Sequence, residues 1–121
     1  MTILSAEAKE IIADTHPAWV ATADQHGRPN VSAKGSFRVL DDEHVLFADI
    51  NSPRTLDNLT ANPQVAAIVY DATKRRGVRI WGHAAVLGPG ELLERVNREL
   101  AARNMQAKRL VVITVEEFLT F

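Results

Sequence analysis

Asn51-Ser52-Pro53-Arg54-Thr55-Leu56-Asp57-Asn58 is the stretch of this chain best equipped to hold an anion. Ser52 is suited to cap a helix, and Pro53 to its first turn, where a missing N–H costs nothing. Arg54 is out of place by that logic, because a cation in the first turn opposes the helix macrodipole. It makes sense if an anion sits at the helix start, shared by the free N–H groups, the Thr55 hydroxyl and the Arg54 guanidinium. The alternative is an ordinary helix start, with Arg54 in water or paired with Asp57. A second polar cluster, Asn30-Val31-Ser32-Ala33-Lys34-Gly35-Ser36, lies upstream. Small residues, hydroxyls and one lysine at a strand irregularity suit backbone approach to a flat polar ligand. An ordinary loop between two edge strands would have the same composition.

Other chemistries lack their residues. No cysteine is present, which removes disulfides, thiolate metal sites and a thiol nucleophile. No two of the four histidines stand at the spacing of a metal-binding pair. The serines form no Gly-x-Ser-x-Gly elbow, and neither phosphate-loop nor dinucleotide glycine spacing occurs. Trp19 and Trp81 fall in strands, where packing in a core or an interface is the default. Arg75 and Arg76 are expected in a solvated loop.

At 121 residues, 46% apolar and 24% charged, the chain is expected to form one soluble domain over its whole length, 1–121. A net charge of −1 argues against a nucleic-acid binder that works by phosphate neutralisation. The first residues lack a signal-peptide layout and no apolar run reaches membrane-spanning length, so no membrane partner and a cytoplasmic location are expected.

These clusters must be positioned by short elements. Ser5 caps a helix to about Ala13, with Leu4, Ala8, Ile11 and Ile12 on one face. Ala18–Ala23 and Arg28–Ser32 read as strands around a glycine turn, and Lys34-Gly35 as an interruption. Ser36–Leu40 and His44–Ala48 follow as strands. The helix after Ser52 turns Leu56, Leu59 and Thr60 inward and stops at Asn62-Pro63. Val65–Tyr70 is apolar throughout, as a strand covered on both faces requires. Asp71–Gly77 reads as an exposed hairpin loop and Val78–Leu87 as a long strand that Gly82 helps to bend. Glu91–Asn104 reads as a helix with a stripe of Leu92, Leu93, Val96 and Leu100. Arg109–Val115 is the last strand, and Glu116–Phe121 a short tail. About seven strands and three helices without a strand–helix–strand rhythm predict a mainly β fold, an antiparallel barrel with attached helices.

In order and spacing the chain resembles the FMN-binding split-barrel proteins related to pyridoxamine 5′-phosphate oxidase, especially their small single-domain members. The resemblance rests on Gly27-Arg28-Pro29-Asn30-Val31-Ser32-Ala33-Lys34-Gly35 with Phe37–Leu40, on Ser52–Leu59 with Asn62-Pro63, and on Arg79–Ala84. It implies that Arg54 and Thr55 bind the FMN phosphate in a socket shaped by the backbone of Ser52 and Pro53. Val31, Ser32, Ala33 and Lys34 would line the ribityl chain and ring, with Ala48, Asp49 and Ile50 along the same cleft. It also implies a homodimer with two cofactor sites at its interface, and a small flavin-dependent oxidoreductase or electron carrier whose redox partner is a small molecule. Lys34, or the N–H groups beside it, would then stabilise the reduced anionic ring, and Trp81 and Phe121 would pack near a flavin. Related split barrels hold the deazaflavin F420 or haem instead, and a non-enzymatic flavin store is the competing class. Vitamin B6 oxidases carry a further substrate-phosphate segment beyond the last strand, so that activity is not expected.

Overall fold

A computed structural model describes residues 2–121. Helix α1, Ala6–Asp14, starts where Ser5 Oγ accepts the Ala8 N–H at 3.1 Å. Its Ala8, Ile11 and Ile12 are buried, together with the preceding Leu4. The strands are β1 (Ala18–Ala23), β2 (Pro29–Lys34), β3 (Arg38–Asp41), β4 (His44–Asp49), β5 (Gln64–Asp71), β6 (Arg76–Leu87) and β7 (Arg109–Thr120). Helix α2, Pro53–Ala61, joins β4 to β5, and α3, Glu91–Leu100, joins β6 to β7.

All seven strands form one antiparallel sheet in the order β2-β1-β5-β6-β7-β4-β3. The fold is thus mainly β, with three helices laid on a strongly curved sheet whose end strands are β2 and β3. Alternation places Val20, Val45, Phe47, Ala67, Val69, Val78, Ile80, Val111 and Ile113 on the inner face, where α1 covers them. A smaller cluster lies under α3, where Leu93, Val96 and Leu100 cover Ala48 and Leu110.

Gly82 sits at the register shift between β6 and β7. A Cβ there would lie 2.1 Å from the Thr114 carbonyl oxygen, so only glycine permits that approach. The outer face of β2, β1, β5, β6 and β7 carries Val31, Trp19, Ile68, Tyr70, Trp81 and Leu119, and Trp19, Val31, Tyr70 and Leu119 are exposed. Both tryptophans are therefore outside the inner core. No described helix is long and apolar enough to cross a membrane.

Four expectations need correction. The last strand does not end at Val115: β7 pairs with β6 as far as Thr120, because Glu117 and Leu119 alternate outward while Phe118 packs inward. The final α-helix ends at Leu100, and Ala101–Arg103 continue as one tighter turn before Asn104, whose φ is 55°. Thr60 is exposed, and the buried polar residues of α2 are Thr55 and Asn58. Arg76 belongs to β6 and reaches Glu10 at 3.1 Å and Asp14 at 3.5 Å, tying the β5–β6 hairpin to α1.

Candidate cofactor site

The buried polar side chains of the described residues are Thr22, Lys34, Asp49, Thr55 and Asn58. All five lie on α2 or on strands next to it. Burying polar groups is costly unless each is satisfied, so their collection at one end of the barrel marks that end as built for something other than packing.

Lys34 is the last residue of β2, and alternation turns its side chain inward to a position only 6% exposed. Its ammonium donates to Ser52 Oγ and lies 5.3 Å from the centre of the Phe47 ring. No carboxylate comes within ion-pair distance of it among the described residues, although Asp49 is close enough to act on it. Burial lowers the Lys34 pKa, and the Asp49 charge opposes that shift. An ammonium has three donors, and one serves Ser52. The arrangement therefore suits an acceptor or an anion brought in from outside.

Helix α2 begins in an unusual way. Ser52 holds the capping position, but its side chain makes no cap hydrogen bond, because its hydroxyl faces Lys34. The first turn contains no acid, and Pro53 occupies it as expected. Asp49 Oδ1 accepts the Ser52 N–H at 3.2 Å and so shapes the loop that enters the helix. The N–H groups of the first turn thus have neither a side-chain cap nor a charge to complement them.

Two hollows flank this helix start. One of about 270 Å³ is lined by Ala33, Lys34, Gly35, Ser36, Ala48, Ile50, Asn51, Ser52, Arg103 and Met105, with no carboxylate among them. It adjoins a hollow of about 210 Å³ through Gly35, Ser36 and Arg103, which also meets His16 and the Arg38–Glu99 ion pair. The other flanking hollow, again about 270 Å³, is lined by Asp24, Arg28, Pro29, Asn30, Arg54, Asp57 and Asn58. Strand β2 borders both, through Asn30 at one end and Lys34 at the other. The four-residue step between them spans about 13 Å at the rise of a β-strand.

The expected site residues divide accordingly. Ala33, Lys34, Ala48, Ile50 and Ser52 meet in the first hollow, and Arg54 lines the second. Val31, Ser32, Asp49, Pro53 and Thr55 line neither: Val31 is exposed on the outer face, while Asp49 and Thr55 are buried behind the helix start. Arg54 makes no ion pair with Asp57. Sequence reasoning passed over Arg28, Arg103 and Met105. Arg28 could have been noticed for its place at the start of a returning strand, but nothing local marks the other two, which arrive from the α3–β7 connection.

The chain was also compared with known proteins. The family described as pyridoxamine 5′-phosphate oxidase matches residues 4–121. An uncharacterised protein of Methanocaldococcus jannaschii is 36% identical over 104 residues, covering 82% of this chain and 68% of that one. The crystal structure of Group A Streptococcus HupZ superposes with a TM-score of 0.90 at 26% identity, over 98% of this chain and 94% of the other. The same fold occurs in an FMN-binding protein of Syntrophomonas wolfei, with a TM-score of 0.83 at 20% identity over 93% and 82% of the two chains. It occurs too in HutZ, the haem storage protein of Vibrio cholerae, with a TM-score of 0.68 at 27% identity over 100% and 94%, and in an F420 reductase, with a TM-score of 0.73 at 20% identity over 96% and 98%. With the family matched over residues 4–121, the chain belongs to the pyridoxamine 5′-phosphate oxidase family.

Proposed function

We propose that this chain is an FMN-binding domain, a small flavin-dependent oxidoreductase or electron carrier that works as a homodimer. The observation that carries the reading is Lys34: a buried ammonium with no ion-pair partner, opening on a hollow without carboxylates beside an uncapped helix start. FMN matches that donor set. Its phosphate would be held at the start of α2 by Arg54 and the first-turn N–H groups, with Ser52 and Pro53 shaping the socket. Its ring would lie toward Ala33 and Lys34, with Ala48 and Ile50 along the cleft. When bound, the flavin supplies hydride or single-electron chemistry, and the protein's part is to orient it and to set its potential. Lys34 would do the latter by placing positive charge beside the ring.

The exposed apolar strip on the outer face supports the dimer. Trp19, Val31, Tyr70 and Leu119 are exposed on one face of the sheet, which a second copy would cover. The lining of the hollows supports FMN over haem. Haem would need an axial ligand, and the first hollow offers only the Met105 thioether, with His16 in the adjoining one.

Titration of the purified protein with FMN, F420 and haem in turn, followed by absorbance, tests the reading. Saturable binding of FMN at micromolar or lower Kd is expected. A protein that takes haem with a Soret band, or F420, in preference to FMN would overturn it. If FMN binds, turnover with NADH or NADPH separates a reductase from a carrier.

A further inference from the structure

We propose that Asp49 is a positioning residue, the counter-ion of Lys34 acting across Ser52 from behind the first hollow, and that Arg109 sets how much of its charge Lys34 receives. The pairing is a property of the cofactor-free chain; its effect on a bound ring rests on the FMN reading.

The pleat of the sheet brings these groups together. Asp49 closes β4 two residues after Phe47 and on the same face, and the Lys34 ammonium lies over the Phe47 ring. Ser52 joins the two charges: its hydroxyl accepts from Lys34, and its N–H donates to Asp49 Oδ1 at 3.2 Å. Both charged residues are buried, Lys34 at 6% and Asp49 at 5% exposure. Across the sheet Asp49 faces Arg109, the first residue of β7, whose half-exposed guanidinium stands 4.0 Å from Asp49 Oδ2. Three charges therefore run from the hollow outward in the order Lys34, Asp49, Arg109.

An ion pair in direct contact would leave neither charge for a ligand. Held apart by Ser52, Asp49 sustains the ammonium while donors of Lys34 stay open to the hollow. Asp49 does not line that hollow, so no carboxylate meets an incoming anion there. Burial drives Lys34 toward its neutral form, and the Asp49 charge opposes this. Arg103 is the other charge lining the first hollow; the adjoining one adds His16 and the Arg38–Glu99 pair, whose charges offset each other. Among the described carboxylates, Asp49 is the one close enough to hold the proton on Lys34. A protonated Lys34 favours a reduced, negatively charged ring beside it, and a neutral one does not.

Heteronuclear NMR of the lysine ammonium groups in the full cofactor-free chain tests the proposal, with Lys34→Met identifying the Lys34 signal. Asp49→Asn keeps an oxygen for the Ser52 N–H and removes only the charge, so a carboxylate that merely shaped the loop would be replaced without effect. The Lys34 titration midpoint is expected to fall by about 0.5 pH unit or more in Asp49→Asn, and to rise by a smaller amount in Arg109→Gln. An unmoved midpoint in Asp49→Asn overturns the proposal. So does a midpoint in Arg109→Gln that stays or falls, and this exposed position decides alone if Asp49→Asn does not fold. With FMN bound, the pH profile of the reduction potential should move with the midpoint; a profile that stays in place overturns the effect on the ring. A chain that binds no flavin overturns the FMN reading and leaves the NMR titration to decide the counter-ion.

Discussion

The starts of α1 and α2 pose the same physical problem and answer it in opposite ways. Each helix has nine residues and a serine before its first turn. At α1, Ser5 caps the Ala8 N–H and Glu7 complements the dipole, so the chain satisfies its own helix. At α2, the serine hydroxyl is drawn to Lys34, no acid stands in the first turn, and Arg54 adds charge of the wrong sign. The first start is arranged for stability. The second start leaves unused the stabilisation that Ser5 supplies at the first, which suits the anion site proposed above.

The sharpest way to break this contrast is Arg54→Ala. It is expected to weaken FMN by about 2–4 kcal/mol, the scale of losing a charged partner, while riboflavin changes little. Isothermal titration with both ligands reads the difference, and equal losses would mean that Arg54 does not touch the phosphate. Next in size are the serines. Ser5→Ala should cost about 1 kcal/mol in urea unfolding, since it removes a cap. Ser52→Ala loses no cap but removes the hydrogen-bond acceptor of the buried Lys34 ammonium, so it should cost about 1–3 kcal/mol in the cofactor-free protein, and that cost should shrink at high pH as Lys34 loses its proton. If the costs of the two substitutions respond to pH alike, the helix starts do not differ in the way described.

Lys34 sharpens the comparison through pH. Burial lowers its pKa in the folded state, so the unfolded chain binds more protons over the interval between that value and the ordinary one near 10.5. Stability of the cofactor-free protein should therefore rise with pH across that interval, since below it the buried charge is borne in full. Lys34→Met should abolish this rise and stabilise the cofactor-free fold at neutral pH by about 1 kcal/mol, because it replaces a buried charge with an apolar chain of similar length. The same variant should bind FMN less tightly or shift its reduction potential. If neither changed, Lys34 would have no part in holding or tuning the flavin.

Much of the fold was legible in the residues. Alternation over β6, the apolar stripes of α1 and α3, and Asn62-Pro63 after α2 each carry a local signal that the packing then uses. The end of β7 was not legible, because Glu116-Glu117 reads as solvated chain. Only the pairing of Trp81 with Glu117 and of Arg79 with Leu119 across the sheet makes it strand. Arg76 was misread for a similar reason: its acidic partners lie 62 and more residues away on α1. At the site, Arg54 drew notice because it broke a helix rule. Arg28 breaks none, so its place opposite Arg54 emerges only when β2 and α2 are brought side by side.

The two end strands of the sheet have a consequence for how the protein survives in a crowded solution. An unpaired strand edge is a template on which another chain can add. Here one edge, β3, is only four residues long, begins with Arg38 and ends with Asp41. The other, β2, opens with Pro29, which has no N–H to offer a new strand, and ends by turning Lys34 inward. Short length, charge and proline at the free edges guard against edge-to-edge polymerisation, so the barrel can stay split without becoming a seed for aggregation.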